Sequence, residues 1–99
     1  MIKEESIITI DKNGCKRWIN KAGEYHRIDG PAIEMKHGRR EWYQFGERHR
    51  IDGPAIESYN EYKCWFIRGV SFNTKEAFFE ALTDEEKSIA LFSEDFLNA

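Results

Sequence analysis

Apolar and polar positions follow one another in short runs over most of the chain, as is typical of strands. Residues 6–10 are mostly β-branched and predict a first strand. An Asn-Gly pair then predicts a tight turn, and residues 15–20 return as the second strand. Similar pairs of runs cover residues 32–36 with 39–45, and 55–59 with 62–67. With connections this short, we expect six strands in a sequential antiparallel meander.

After residue 70 the pattern changes to helical spacing. Asn73 and Glu76 form a capping-box sequence, which predicts a helix with Asn73 as its N-cap. A second capping box over residues 83–86 predicts another helix, with apolar residues from Ile89 onward. We therefore expect residues 73–99 to form two short helices that cover the last hairpin or one sheet face. A helical tail that binds a partner is the alternative.

A nine-residue sequence, His-Arg-Ile-Asp-Gly-Pro-Ala-Ile-Glu, occurs at residues 26–34 and again at 49–57, an offset of 23 residues. Tryptophans accompany the copies at corresponding positions: Trp18, Trp42 and Trp65. Internal repetition at such a period predicts stacked structural units, two of them complete and partial ones at both ends. Equivalent positions should share a face, so we expect a ladder of the three tryptophans. A second ladder of Ile19, Tyr43 and Phe66 should lie opposite.

This repeat resembles the toothed, MORN-like repeats of small tailed-phage proteins, in which a tryptophan strand and a glycine turn lead into His-Arg-x-Asp-Gly-Pro-Ala. The resemblance covers roughly residues 7 to 70. It implies hairpins stacked into an elongated sheet, in modules that bind or scaffold other proteins. We therefore expect one mainly β (α+β) domain over residues 1–99, with about three repeated hairpins over 6–70 and a helical cap over 73–99.

Charge is distributed unevenly along the chain. The net charge is −3, but residues 1–72 carry 13 basic and 11 acidic side chains, whereas residues 73–99 carry 2 and 7. The absence of a basic excess argues against a nucleic-acid binder, including one that stacks bases on the tryptophans. No apolar run is long enough to span a membrane. Cys15 and Cys64 form no Cys-x-x-Cys pair, so we expect reduced, buried thiols in place of a disulfide or metal site.

The repeated histidines each stand three residues before an aspartate, a composition that could supply a metal or acid–base site. Because each pair recurs with the repeat, we assign it to its own loop, with an ion pair between Arg27 and Asp29 and a glycine free to take positive φ. No catalytic residue, metal or cofactor is expected. We interpret the motif as structural, and its residues are His26, Arg27, Asp29, Gly30, Pro31, His49, Arg50, Asp52, Gly53 and Pro54, together with the three tryptophans.

Residues that differ between units are the better candidates for a binding surface. The predicted partner-binding residues are Lys36, His37, Arg39, Arg40, Tyr59, Asn60, Tyr62 and Lys63. The basic cluster at residues 36–40 is either a solvated hairpin tip or a contact for an acidic partner, and neither Arg39 nor Arg40 is expected in the core.

The sequence thus predicts a non-enzymatic protein-binding module. Through the resemblance, we expect a small phage protein that binds and inhibits a host defence or regulatory protein in the cytoplasm of the infected bacterium. A membrane-surface module that binds lipid, by analogy with MORN repeats, and a nucleic-acid binder or mimic are the alternatives. The uncapped strand at residues 6–10 offers an edge for self-association or for a strand of the partner.

Overall fold

The computed structural model describes residues 6–99, which form nine strands and three helices. The strands are β1 (Ile7–Ile10), β2 (Lys16–Ile19), β3 (Ile33–Glu34), β4 (Arg40–Glu41), β5 (Tyr43–Gln44), β6 (Glu47–Arg48), β7 (Ile56–Glu57), β8 (Lys63–Ile67) and β9 (Val70–Phe72). The helices are α1 (Lys75–Ala81), α2 (Asp84–Leu91) and α3 (Glu94–Leu97). Seven strands form an antiparallel sheet in the order β1-β2-β3-β4-β7-β8-β9, and β5 pairs with β6 alone. The predicted meander with C-terminal helices is confirmed.

The strand expected over residues 39–45 is divided at Trp42, and this is the main difference from the predicted topology. The Trp42 amide donates to the Ala55 carbonyl at 2.7 Å, while its carbonyl accepts from the His49 amide at 3.1 Å. One residue therefore serves both the main sheet and the separate β5–β6 hairpin. Phe45 and Gly46 close that hairpin with φ angles of 49° and 79°, as a two-residue mirror-image turn requires. Because this hairpin leaves the sheet, β4 pairs with β7.

The two faces of the sheet differ sharply in composition. Residues directly opposite one another across neighbouring strands share a face. On one face the register aligns side chains of alternating charge, in the order Lys16, Glu34, Arg40, Glu57 and Lys63. The other face aligns Ile33, Glu41 and Ile56, all of which are buried. The sheet thus has a solvated face with balanced charge and a face that packs into the interior.

The C-terminal helices cover the last strands and complete the main hydrophobic core. This core comprises Trp65 and Ile67 of β8 with Phe78, Leu82, Ala90 and Phe96 from residues 73–99, which we call the helical segment. Sequence analysis placed the first N-cap at Asn73, which is wrong by one residue, because the Thr74 side chain accepts the Ala77 amide.

Local capping signals set the boundaries of the other two helices. The capping box of Thr83 and Glu86 is confirmed at the start of α2. Ser93 caps α3, a third helix where two were expected, because its side chain accepts the Phe96 amide.

Candidate functional site

The two repeated arginines are enclosed in the same way within their loops. Arg50 donates from Nε to Asp52 at 2.9 Å and from Nη1 to the Pro54 carbonyl at 3.1 Å, and its guanidinium lies 3.9 Å from the Trp42 ring centroid. Arg27 repeats these contacts on Asp29, Pro31 and Trp18, so the expected Arg27–Asp29 ion pair is present. Arg50 also donates to Asp95 of α3. The motif is thus an arginine enclosure that binds one loop to its own tryptophan.

The repeated glycine is required for space, and its backbone is not in the positive-φ region that we expected. A Cβ at position 53 would lie 2.7 Å from Cζ of Arg50, and one at position 30 would lie 2.9 Å from Cζ of Arg27. Gly53 and Gly30 are absent from the glycines with positive φ within residues 6–99. The glycine therefore makes room for the guanidinium beside the chain.

Two of the three tryptophan rings are covered by cations and the third by a phenylalanine, instead of by one another, so the expected ladder of stacked rings is wrong. Across residues 6–99 no ring contact joins two tryptophans; Trp18 and Trp42 each lie against an arginine of their own loop. In the third unit Asn73 stands where that arginine would be, and Phe78 packs on Trp65 with ring centroids 4.8 Å apart. The second expected ladder is also interrupted, because the Arg48 guanidinium lies about equally far from the rings of Tyr43 and Phe66, at 5.6 and 5.5 Å.

The repeated histidines connect consecutive units through the backbone. Nδ1 of His26 accepts the Phe45 amide at 3.0 Å, and Nδ1 of His49 accepts the Arg68 amide at 2.8 Å. Both amides belong to residues with positive φ in the two-residue turns. Burial, followed by the charge of Arg68, holds the pKa of His49 below its ordinary value. Each imidazole thus orients the turn of the next hairpin, and residues 6–99 contain no cluster of ligands suited to a metal ion.

Glu41 forms a buried charged cluster that sequence reasoning missed. It is 5% exposed and accepts from Arg39 Nε at 2.9 Å, from the Tyr43 hydroxyl at 3.2 Å and from Arg48 Nη2 at 3.4 Å. Burial alone would raise the pKa of Glu41, but the Arg39 hydrogen bond and charge, aided by Tyr43 and Arg48, hold that pKa below its usual range. In the third unit, the residue that corresponds to Glu41 is Cys64. The repeat therefore does not show that a charged residue at this position is buried.

The predicted basic patch is largely neutralised within the protein. Arg40 pairs with Glu57 at 2.8 Å, and Arg39 is committed to Glu41 and to the Ser58 hydroxyl at 3.2 Å. Neither arginine lies in the core, as expected, but substituting both with glutamate would place like charges beside Glu41 and Glu57 and would therefore disturb the sheet.

The other predicted partner-binding residues come together at the two neighbouring hairpin tips. The rings of His37 and Tyr59 meet edge to face at 5.7 Å, and Tyr59 and Tyr62 are 73% and 55% exposed. We define the tip surface by its exposed residues: Lys36, His37, Tyr59, Asn60, Tyr62 and Lys63.

A groove of about 630 Å³ lies between the first repeat loop (residues 26–31) on one side and the second repeat loop (residues 49–54) and α2 on the other. Ile28 and Asp29 line it from the first loop, and Trp42 and Ile89 also line it. In the second loop the equivalent Ile51 packs on the core, and the Asp52 carbonyl accepts the Ser93 hydroxyl at 2.8 Å. The helical segment thus covers one copy of the repeated loop and leaves the first exposed.

The remaining features place few constraints on function. Cys15 and Cys64 are free thiols, each half-buried. None of the helices within residues 6–99 has the length and hydrophobicity needed to cross a membrane. No protein family model, curated sequence or solved structure matches this chain.

Proposed function

We propose that this chain is a non-enzymatic protein-binding module that contacts its partner through the tip surface. The observation that carries the proposal is the exposure of Tyr59 and Tyr62 beside His37. Tyrosines supply a large, amphipathic contact area and are enriched in protein interfaces. The arginine enclosures and histidine contacts hold the units in place, which leaves the varied tips to provide specificity.

The distribution of charge supports a protein partner over nucleic acid. A nucleic-acid surface needs unpaired cations that can replace the counterions of phosphates. Here Arg39 and Arg40 pair with Glu41 and Glu57, and the solvated sheet face alternates in sign. Combined with the resemblance to phage repeats, this favours a host protein in the bacterial cytoplasm, which the module binds and inhibits.

Affinity capture from a bacterial lysate, followed by mass spectrometry, tests this function. The wild-type protein should retain a defined partner, and Tyr59→Ala with Tyr62→Ala should lose most of it. Val70→Ser is the matched control, because Val70 is 59% exposed and lies outside the tips. Equal retention by the double variant and the wild type, with the fold verified by circular dichroism, would remove the tip surface from the proposal.

The edge strand β1 is our proposed site of self-association. Among the described strands it pairs only with β2, and Ile7, Ile8 and Ile10 are 56%, 46% and 61% exposed. An uncharged edge of this kind can pair with a second copy about a two-fold axis. Sedimentation should detect a dimer that Ile8→Pro disrupts, because the register directs the Ile8 amide away from β2 and toward the free edge. A monomer at all accessible concentrations would exclude this edge as the contact.

A further inference from the structure

Within residues 6–99, most acidic side chains of the repeats have an ion-pair partner, whereas most of those in the helical segment have none. In the repeats, Asp11, Asp29, Glu34, Glu41 and Glu57 all have cationic partners. In the helical segment, only Glu86 and Asp95 do, through arginines of the repeats. Within the described chain, the helical carboxylates without an ion pair are all exposed: Glu76, Glu80, Asp84, Glu85 and Glu94.

The two lysines of the helices do not neutralise this surface. Lys75 donates from Nζ to the backbone carbonyls of Leu97 and Ala99, and it lies 4.6 Å from the Phe96 ring centroid. Lys87 lies 5.5 Å from the Phe79 ring centroid. Both cations thus cover aromatic rings of the helical segment, and the carboxylates remain available to an external cation.

An apolar cleft lies among these carboxylates. It has a volume of about 290 Å³, and we define it as the helical cleft by its lining residues: Lys75, Glu76, Phe79, Glu80, Leu91 and Phe96. Phe92, next in sequence to Leu91, is 91% exposed, and Leu97, next to Phe96, is 52% exposed. A phenylalanine this exposed, adjacent in sequence to a residue that lines the cleft, is unusual for a surface that meets only water.

We propose that the helical cleft binds a basic amphipathic helix of a partner protein. Apolar side chains of that helix occupy the cleft between Phe79 and Leu91, and its lysines or arginines pair with Glu76 and Glu80. The helix-in-groove mode fits because the elements that line the cleft are helices, which offer no strand edge to an extended peptide. Membranes and nucleic acids are disfavoured occupants, since their anionic surfaces would meet five unpaired carboxylates.

The test uses a short amphipathic peptide of leucine and lysine, with a leucine–glutamate peptide of the same pattern as its counterpart. Fluorescence anisotropy should show binding of the lysine peptide alone. Glu76→Gln with Glu80→Gln should weaken it roughly three- to tenfold, as two exposed ion pairs would. Phe92→Ala should weaken it separately, without changing the near-ultraviolet dichroism of the tryptophans.

The matched control is Glu24→Gln with Glu47→Gln, which changes the net charge equally at exposed positions outside both the cleft and the tip surface. Binding of the lysine peptide to this control should equal that of the wild type. An equal loss in both double variants would show general charge attraction and overturn the site. Absence of peptide binding would also overturn it, as would sedimentation showing that a second copy occupies the cleft in a Phe92-dependent dimer. These variants leave the tip surface intact, so this test and the capture experiment fail independently.

Discussion

At the scale of single residues, the motif is a set of mutually dependent contacts around one guanidinium. Arg50 is 7% exposed, yet its charge is met by Asp52 and Asp95, its Nη1 by a carbonyl, and its flat face by an indole. A cation over a tryptophan contributes about 0.5–2 kcal/mol, and more as water is excluded. The arrangement requires arginine, because lysine has neither the planar face nor the several donors.

Gly53→Ala should lower the free energy of unfolding by about 1–3 kcal/mol, because the added methyl overlaps Cζ of Arg50 and must displace it from Trp42. Urea denaturation measures the loss. Gly30→Ala is the matched comparison and should cost less, since the Arg27 side chain is 23% exposed and can move toward solvent. Equal, negligible costs at both positions would show that the enclosure is loose.

Acid should weaken the contact between the second loop and the last hairpin. The pKa of His49 is lowered in the folded protein, mainly by burial, so the unfolded chain binds the proton more readily. The stabilisation by neutral His49 is therefore present above its unfolded pKa of about 6.5 and is lost as the pH falls through the lower folded value.

The variant His49→Asn separates this contribution from other titrations, because its side-chain oxygen can accept the Arg68 amide without binding a proton. Urea midpoints measured from pH 8 to pH 5 should fall less steeply for the variant than for the wild type. Identical slopes would mean that protonation of His49 does not break the hydrogen bond.

At the scale of elements, the helical segment substitutes for a missing third loop. The repeat would place histidine and arginine at positions 72 and 73, but the chain has Phe72 and Asn73 there. Phe78 and Phe96 cover Trp65 in place of a guanidinium, and Asp95 reaches back to Arg50. The segment thus ends the stack with aromatic packing and meets the last complete loop with a carboxylate.

Phe78→Ala should destabilise the protein by about 3–5 kcal/mol, because the ring is fully buried against Trp65 and a cavity would remain. Thermal denaturation followed by tryptophan fluorescence measures the effect. Phe92→Ala should change the free energy of unfolding by no more than about 0.5 kcal/mol, since its ring is 91% exposed. Similar losses in the two variants would contradict this assignment of the core.

Local signals explain why the elements were predictable and their interruptions were not. The β-branched run of β1 and the Thr83–Glu86 capping box act within a few residues, so the sequence displays them directly. The break at Trp42 depends on its hydrogen bonds to Ala55 and His49. The charge of Glu41 is met by Arg39, which precedes β4, and by Arg48 of β6. Such contacts follow from the fold, and the repeat alone does not reveal them.

The candidate sites were likewise predictable where they depend on local sequence, and unpredictable where they depend on contacts made by the fold. Variation between units correctly indicated which residues lie at the hairpin tips, but it could not show that Arg39 and Arg40 would be paired internally. The acidic composition of residues 73–99 was visible, whereas the helical cleft required the packing of α1 against α2 and α3.

At the scale of the whole molecule, contacts between units join nearest neighbours. The histidine of one loop meets the turn of the next hairpin, and the offset of 23 residues is kept on both sides, from His26 to His49 and from Phe45 to Arg68. In proteins of this kind, stability is approximately a sum of unit terms and neighbour terms.

Inserting a copy of residues 27–49 between His49 and Arg50 should therefore give a longer folded protein. The dependence of the unfolding free energy on urea should increase by roughly a fifth, in proportion to the added surface, with one cooperative transition. Two separated transitions, or a lower midpoint, would show that the helical segment recognises more than its adjacent unit.

The histidine contact between units carries a consequence for how such a chain can evolve. Its donor is a backbone amide, which every residue except proline supplies, so the side chain at that turn is free to change, as Phe45 and Arg68 show. An in-frame duplication of one repeat would therefore supply a histidine and a turn amide that match the units on both sides. The number of repeats can thus change in a single genetic event, before selection acts on the surface of the new copy.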